Sequence, residues 1–332
     1  MKNIWNLPKI ESKPFAAVEE KRPVLLITSA PAWNAVREDL RGLNIAVTLE
    51  VTEATTRHWD SLLTTHGGRQ TAVVYSVGGG LTADAAKYIA AKLDLPLVVL
   101  PTALSVDAFF TAASGIRKRS PLRMGEGPGV RGGCVYYIET KSPENLILDL
   151  DIIAKAPAAI RAAGITDVLS IATGCWDWKF AHEQGKNPPG MEFIPWVYDN
   201  AQSILRGALD CAEAAGRGDR EGLKQLLDCL CMEVQLCNQI GHSRPEEGSE
   251  HYFAYAVENE MGPGLPHGDL VGPAILLIAK LQGQDTAPLE KALKACNIPL
   301  NNIPRDMIER TLKILPEYSR RHKLPFGIAH TL

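Results

Sequence analysis

Two histidines, His251 and His267, stand sixteen positions apart in the stretch SRPEEGSEHYFAYAVENEMGPGLPHGDL, residues 243 to 270. Neutral imidazole is the commonest protein ligand for divalent metals and also titrates near neutral pH. His251 follows an acidic, glycine-punctuated turn and opens an aromatic run that reads as helix. His267 is boxed between Pro266 and Gly268. Taken singly, each is as well explained by a surface or packed histidine, and their spacing names no third ligand. Asp107 is an isolated acid among apolar residues, costly to bury without a partner. Asp167 lies six residues after Arg161 at an apparent helix start, where a plain N-cap is the competing reading.

A second chemistry is offered by VVYSVGGGLTADAAKYIAAKL, which sets Gly78, Gly79 and Gly80 between a strand and a helix. Residues without Cβ let a phosphate reach the backbone, and the free N–H groups and dipole of the next helix favour negative charge. That suits a dinucleotide pyrophosphate, although the pattern is not GxGxxG and a tight strand-to-helix turn is the bland alternative. The following strand ends in PTALSVDAFFTAAS, where Thr102, Ser105 and Thr111 offer hydroxyls to a cofactor. The basic run IRKRS is read as a solvated loop, with a phosphate contact as the alternative. Arg244 could face a substrate phosphate or pair with Glu246, Glu247 or Glu250.

The elements that must position these groups follow from patterning. At 332 residues the chain exceeds the usual single-core size, so two domains are expected. Short β-branched runs at 23–29, 44–51, 71–77 and 96–102 alternate with helical segments at about 30–43, 53–66 and 82–93. Strict alternation implies βαβ units and a mostly parallel sheet. A Gly-, Arg- and Pro-rich segment at about 115–135 interrupts it, followed by the strand-like CVYYIET and NLILDLDI. Beyond APAAIRAAG the strand signals vanish, and helices are expected at 161–183, 195–216, 220–240, 250–259, 268–283, 287–296 and 304–320. The expectation is an α/β Rossmann-like dinucleotide-binding domain over 1–157 and an all-α domain over 158–332.

With 45% hydrophobic and 22% charged residues, a net charge of −3 and a pI near 6.3, nothing points to nucleic acid or an anionic membrane. Seven cysteines without a CxxC pair read as buried thiols in a reducing cytosol. The N-terminal MKNIWNLPKIESKPF lacks the apolar core of a signal peptide. The longest apolar windows, such as VGPAILLIA, are about half a membrane span. A cytoplasmic protein with no membrane insertion is expected.

Together these stretches carry a resemblance. From about residue 23 to 280 the chain resembles the iron-containing alcohol dehydrogenase / dehydroquinate synthase-like superfamily, and within it the glycerol-1-phosphate dehydrogenase branch. GGGLTADAAKYIA is similar to the branch's glycine turn with its acid and lysine, here Asp84 and Lys87. PTALSVDA is similar to the strand end that holds nicotinamide and substrate. IIAKAPAAIRAAGITDVLSIATGCWDWKFA looks like the segment that introduces the helical domain. GHSRPEEGSEH resembles a Ser-Arg-Pro…Gly-x-Glu-His signature, and LPHGDLVG supplies a last histidine.

What the resemblance implies is an oxidoreductase with NAD(P) on the α/β domain and a catalytic divalent metal, zinc by default with iron as the alternative. The metal ligands would be Asp167, His251 and His267, and the cofactor set Ser29, Gly78, Gly79, Gly80, Leu81, Thr82, Asp84, Thr102, Ser105 and Thr111. Asp107, Asp167 and Tyr255 would meet the substrate, by default dihydroxyacetone phosphate or sn-glycerol 1-phosphate. Three protein ligands and an open site are what catalytic zinc needs. A homo-oligomer is expected.

The chain departs from the pattern in three places. Ser29 stands where an acid often holds the adenine ribose, so NADP should be tolerated. Ser105-Val106-Asp107-Ala108 replaces the usual SHDG. Tyr255 replaces a second histidine one turn after His251, which weakens recognition of a phosphate. The alternatives are a sugar-phosphate cyclase of the dehydroquinate synthase type, a reductase of another small aldehyde or ketone, or a non-catalytic binding protein.

Overall fold

Strand signals in the first half of the chain come from runs such as VLLI, AVVY and LVVL, apolar at every position instead of at alternate ones. Such strands must be covered on both faces, which is the situation of a parallel sheet inside helical layers. The computed structural model, which describes residues 7–66, 70–119, 133–262 and 265–332, has this arrangement. Strands β1 (Lys9–Ser12), β2 (Glu20–Thr28), β3 (Leu43–Glu50), β4 (Val73–Gly78), β5 (Leu97–Pro101) and β8 (Asn145–Leu148) form one sheet in the order β1-β8-β5-β4-β2-β3. Every pairing in it is parallel. Strands β6 (Ala113–Arg119) and β7 (Gly133–Glu139) pair separately.

Helices α1 (Ala30–Val36), α2 (Thr56–His66), α3 (Gly80–Leu93), α4 (Leu150–Lys155) and α5 (Ala158–Arg161) belong to the same unit. One face of the sheet puts Val24, Leu26, Val73, Tyr75, Val77, Val98, Leu100 and Ile147 into a core closed by Phe15, Val36 and Leu40. Burying each such aliphatic side chain contributes about 2 kcal/mol.

The chain divides into two compact units. The first is built on residues up to Lys118 together with Val135–Arg161, and the second on Ala162–Leu332. The second is wholly helical: α6 (Ile165–Leu169), α7 (Ile171–Glu183), α8 (Pro195–Arg217), α9 (Arg220–Ile240), α10 (Ser249–Met261), α11 (His267–Leu281), α12 (Ala287–Ala295) and α13 (Arg305–Arg321). Helices α8 and α9 meet at Gly218, a left-handed C-cap (φ 84°), and at Asp219, whose side chain accepts from Glu221 and Gly222 N–H.

Four local expectations give way. The helix expected over 161–183 is broken into α5, α6 and α7. NLILDLDI is strand only to Leu148, because Asp149 caps α4 by accepting from the Asp151 and Ile152 amides. IRKRS is strand β6 as far as Arg119 and not a loop; its last residue lies outside the described ones. Helix α1 is shorter than its amphipathic pattern, ending at Val36. Among the described residues no helix is long and apolar enough to cross a membrane.

Candidate active site

Three short stretches of the helical unit deliver the metal-capable residues. Asp167 is the third residue of α6, its N–H bonded to Gly164 O at 3.1 Å. The N-cap of that helix is Gly164, with no capping side chain, so the N-cap reading of Asp167 falls. His251 is the third residue of α10, and His267 is the first of α11, where Pro266 sets the turn. One ligand-capable atom from each of Asp167, His251 and His267 lies within 4.8 Å of the others. His267 Nε2 is 3.4 Å from Asp167 Oδ1, and the two imidazole centroids are 5.3 Å apart. Asp167 and His251 are buried, while a quarter of the His267 side chain is open to solvent.

The electrostatics of the cluster favour a cation. Burial alone would push the His251 imidazolium down. The Glu250 hydrogen bond and charge, with Glu247 and Asp167 behind it, outweigh burial and lift His251 to about 9. The same negative field that holds a proton here favours a divalent ion in its place. One carboxylate and two imidazoles form an O/N set of the kind that binds Zn²⁺ or Fe²⁺ with coordination positions left over. The residues present fit a metal.

The GSEH signature has a structural reading residue by residue. At Gly248, a Cβ would stand 2.9 Å from Gly174 Cα and 3.0 Å from Asp177 Oδ2, so α10 can start this close to α7 only without a side chain. Ser249 donates to Asp177 Oδ2 from its N–H at 2.7 Å and its hydroxyl at 2.5 Å. The other oxygen of Asp177 accepts from Ile328 N–H at 2.8 Å and Gln282 Nε2 at 3.1 Å. Burial pushes Asp177 up to about 6 despite these donors. Glu250 Oε1 accepts from His251 Nδ1 at 2.8 Å.

Arg244, 2% exposed, forms no ion pair with Glu246, Glu247 or Glu250. Its Nη2 donates to the Phe326 carbonyl at 2.8 Å and its Nη1 to Tyr252 OH at 3.4 Å, tying the segment around 326 to the signature. Tyr255 does project along the His251 face, with ring centroids 5.9 Å apart, and its hydroxyl donates to Glu247 Oε1 at 2.8 Å. Asp177 was overlooked in the sequence. Its signal was an aspartate in the middle of the apolar helix ATGCWDWKFA, the same kind of anomaly that singled out Asp107.

In the α/β unit the glycine turn sits at the sheet's topological switch point, since β2 is flanked by β3 on one side and β4 on the other. Gly78 ends β4 with φ +146°, and a Cβ there would meet Thr82 Oγ1 at 2.7 Å. Gly79 is the N-cap of α3, and Thr82 donates its hydroxyl to Gly79 O at 2.8 Å. Gly80 and Leu81 form the first turn and are half-buried. Thr102 N–H bonds Gly78 O at 3.1 Å, and Ser105 Oγ lies 3.1 Å from where a Cβ of Gly79 would be. Ser29, at the end of β2, is the N-cap of α1 without a side-chain cap bond.

Asp84 and Thr111 are turned instead to Lys87. The buried Nζ of Lys87 lies 2.9 Å from Asp84 Oδ1, and it donates to Thr111 Oγ1 at 3.2 Å, Ala108 O at 3.0 Å and Ala113 O. Asp107 is half-buried in the loop after Thr102, where its carbonyl accepts from Phe110 N–H.

Comparison with known proteins agrees with this architecture. A family model described as iron-containing alcohol dehydrogenase matches residues 15–157. Over 249 residues the chain is 30% identical to the glycerol-1-phosphate dehydrogenase [NAD(P)+] of Sulfolobus acidocaldarius, covering 73% of this chain and 65% of that protein. It is 30% identical over 217 residues to the protein of the same description from Bacillus subtilis, covering 64% and 51%. The matched stretch thus spans about two thirds or less of these relatives. Among solved structures, glycerol dehydrogenase from Schizosaccharomyces pombe superposes with a TM-score of 0.67 at 20% identity, covering 99% of this chain and 86% of that one. Sulfoacetaldehyde reductase from Bifidobacterium kashiwanohense, solved with NAD+, also gives 0.67, at 15% identity and 99% and 95% coverage. A Rossmann-like α/β unit with its glycine turn at the switch point and a helical unit that gathers one aspartate and two histidines thus occur in a chain similar to glycerol-1-phosphate dehydrogenases and, over residues 15–157, to the iron-containing alcohol dehydrogenase family.

Proposed function

We propose that the chain is an NAD(P)- and zinc-dependent dehydrogenase that interconverts a small hydroxy-ketone or aldehyde with its alcohol, with dihydroxyacetone phosphate and sn-glycerol 1-phosphate as the reference pair. The observation that carries this reading is the gathering of Asp167, His251 and His267 within 4.8 Å in a buried, negatively charged setting. The relatives' names support the reaction class.

A bound divalent metal supplies Lewis-acid polarisation of a substrate oxygen, and a bound nicotinamide gives or takes the hydride. The chain's own residues do the rest. Asp167, His251 and His267 hold the metal, residues 158–332 forming its domain. Residues 1–157 would bind NAD(P): the amides of Gly78 to Thr82 and the N-terminus of α3 would hold the pyrophosphate and Thr102 and Ser105 would offer hydroxyls, while Asp84 and Thr111, turned to Lys87, support the turn from behind. Ser29 carries no charge to repel a 2′-phosphate, so both cofactors are accepted. Asp107 and Tyr255 contact substrate; the Tyr255 hydroxyl, whose proton goes to Glu247, offers a lone pair and brings no positive charge. The six described cysteines are all free thiols, which suits a cytoplasmic enzyme.

The test is a panel of carbonyl substrates, phosphorylated and not, with NADH and NADPH, followed by nicotinamide absorbance. Net cofactor oxidation with a hydroxy-ketone or aldehyde is expected. Turnover without net change in absorbance would instead identify a cyclase, and no turnover with any member would sink the reading.

A further inference from the structure

We propose that Glu250 is the positioning residue of the metal site: its carboxylate locks the His251 ring so that Nε2 presents its lone pair to the metal. The inference rests on Asp167, His251 and His267 being the ligands. Side chains at adjacent helix positions point about 100° apart and do not ordinarily meet. Glu250 and His251 meet because α10 begins here. Glu250 folds back over the helix start, and its Oε1 accepts from Gly248 N–H at 2.7 Å and from His251 Nδ1 at 2.8 Å.

One oxygen therefore joins the helix N-cap to the imidazole. An N–H held at Nδ1 leaves Nε2 as the acceptor, and the ring's rotation is fixed at the same time. The carboxylate is wholly buried, and its second oxygen has no hydrogen-bond partner. Burying a carboxylate this way is costly unless it does more than cap the helix.

The anchorage continues behind it. Ser249, between Gly248 and Glu250, is held at both N–H and hydroxyl by Asp177, and its hydroxyl accepts from Ala329 N–H at 2.9 Å. Glu250 thus stands on a fixed base, which is what a positioning group requires.

The experiment loads the full chain with cobalt(II) and measures its affinity by chelator competition, its visible ligand-field bands, and kcat and KM. Glu250→Ala should bind cobalt about 10–100-fold more weakly, with altered bands. Glu250→Gln, whose amide oxygen can accept both N–H groups, should keep the band pattern and lose less affinity. Glu250→Asp keeps the charge but withdraws it from Nδ1, and should behave like the alanine variant; it decides the matter if the alanine variant does not fold. Wild-type affinity and bands in Glu250→Asp, or equal losses in the glutamine and alanine variants, would overturn the proposal. A wild-type protein that binds no cobalt, or whose binding survives His267→Ala, would instead break the ligand assignment on which it stands.

Discussion

Two buried charged constellations, one in each unit, are built to opposite rules. In the α/β unit Lys87 is fully enclosed, yet its ammonium is matched by the Asp84 carboxylate, two carbonyls and the Thr111 hydroxyl. The knot is neutral, and it fastens the 108–113 loop to α3. In the helical unit, Asp167, Glu247 and Glu250 gather around two histidines. The nearby Arg244 spends its guanidinium on a backbone carbonyl and a phenol and forms no ion pair with these acids. A charge set that closes on itself is structural. One that sets three acids around two histidines favours a cation among them, and against burial those acids lift His251 to about 9.

The contrast can be broken at either end. The largest effect is expected from His267→Ala, which should abolish stoichiometric metal and lower kcat/KM by roughly a thousandfold, about 4 kcal/mol. Metal analysis with steady-state kinetics checks it. Stripping metal from the wild type with a chelator should cost about 2.7 kcal/mol of stability relative to protein with free metal at a hundred times Kd, read as a fall in Tm. The α/β knot should show no such dependence. There, Lys87→Met should destabilise by about 2 kcal/mol in urea unfolding, by leaving a carboxylate and carbonyls without their donor, while metal content stays at the wild-type level. The smallest effect is expected from Tyr255→His. An imidazolium one turn from His251 should shift selectivity towards dihydroxyacetone phosphate over dihydroxyacetone about tenfold, about 1.4 kcal/mol. An unchanged ratio would mean that position 255 does not read the phosphate.

Much of the scaffold is legible because its signals are local. Apolar and β-branched runs mark β2 to β5, and helical spacing marks α8 to α13 within a few residues of their ends. Elements whose cause is distant are not legible. Strand β1 is the polar tetrapeptide KIES, made a strand only by pairing with β8. Asp149 looks like part of a strand, but it caps α4 and accepts from Phe15 N–H, 134 residues away. The site divides the same way. The histidines and Asp167 can be picked out by type and family pattern. The role of Arg244 cannot, because its partner is the Phe326 carbonyl, and a backbone oxygen leaves no mark in the residue code. Asp177 is similar: only the fold shows that its acid meets Ser249 and Ile328 together.

The hold of Asp177 on Ile328, 151 positions along the chain, has a consequence for when the protein matures. On a ribosome the histidines at 251 and 267 are made well before residue 328 emerges. Until then the start of α10 lacks both the Ser249–Ala329 bond and the Arg244–Phe326 bond. Contacts of such long sequence separation form late. Metal capture is therefore expected to be completed only once residues 328 and 329 are free to fold back on the start of α10. Chains stalled short of Ile328 should emerge from the ribosome helical but metal-poor.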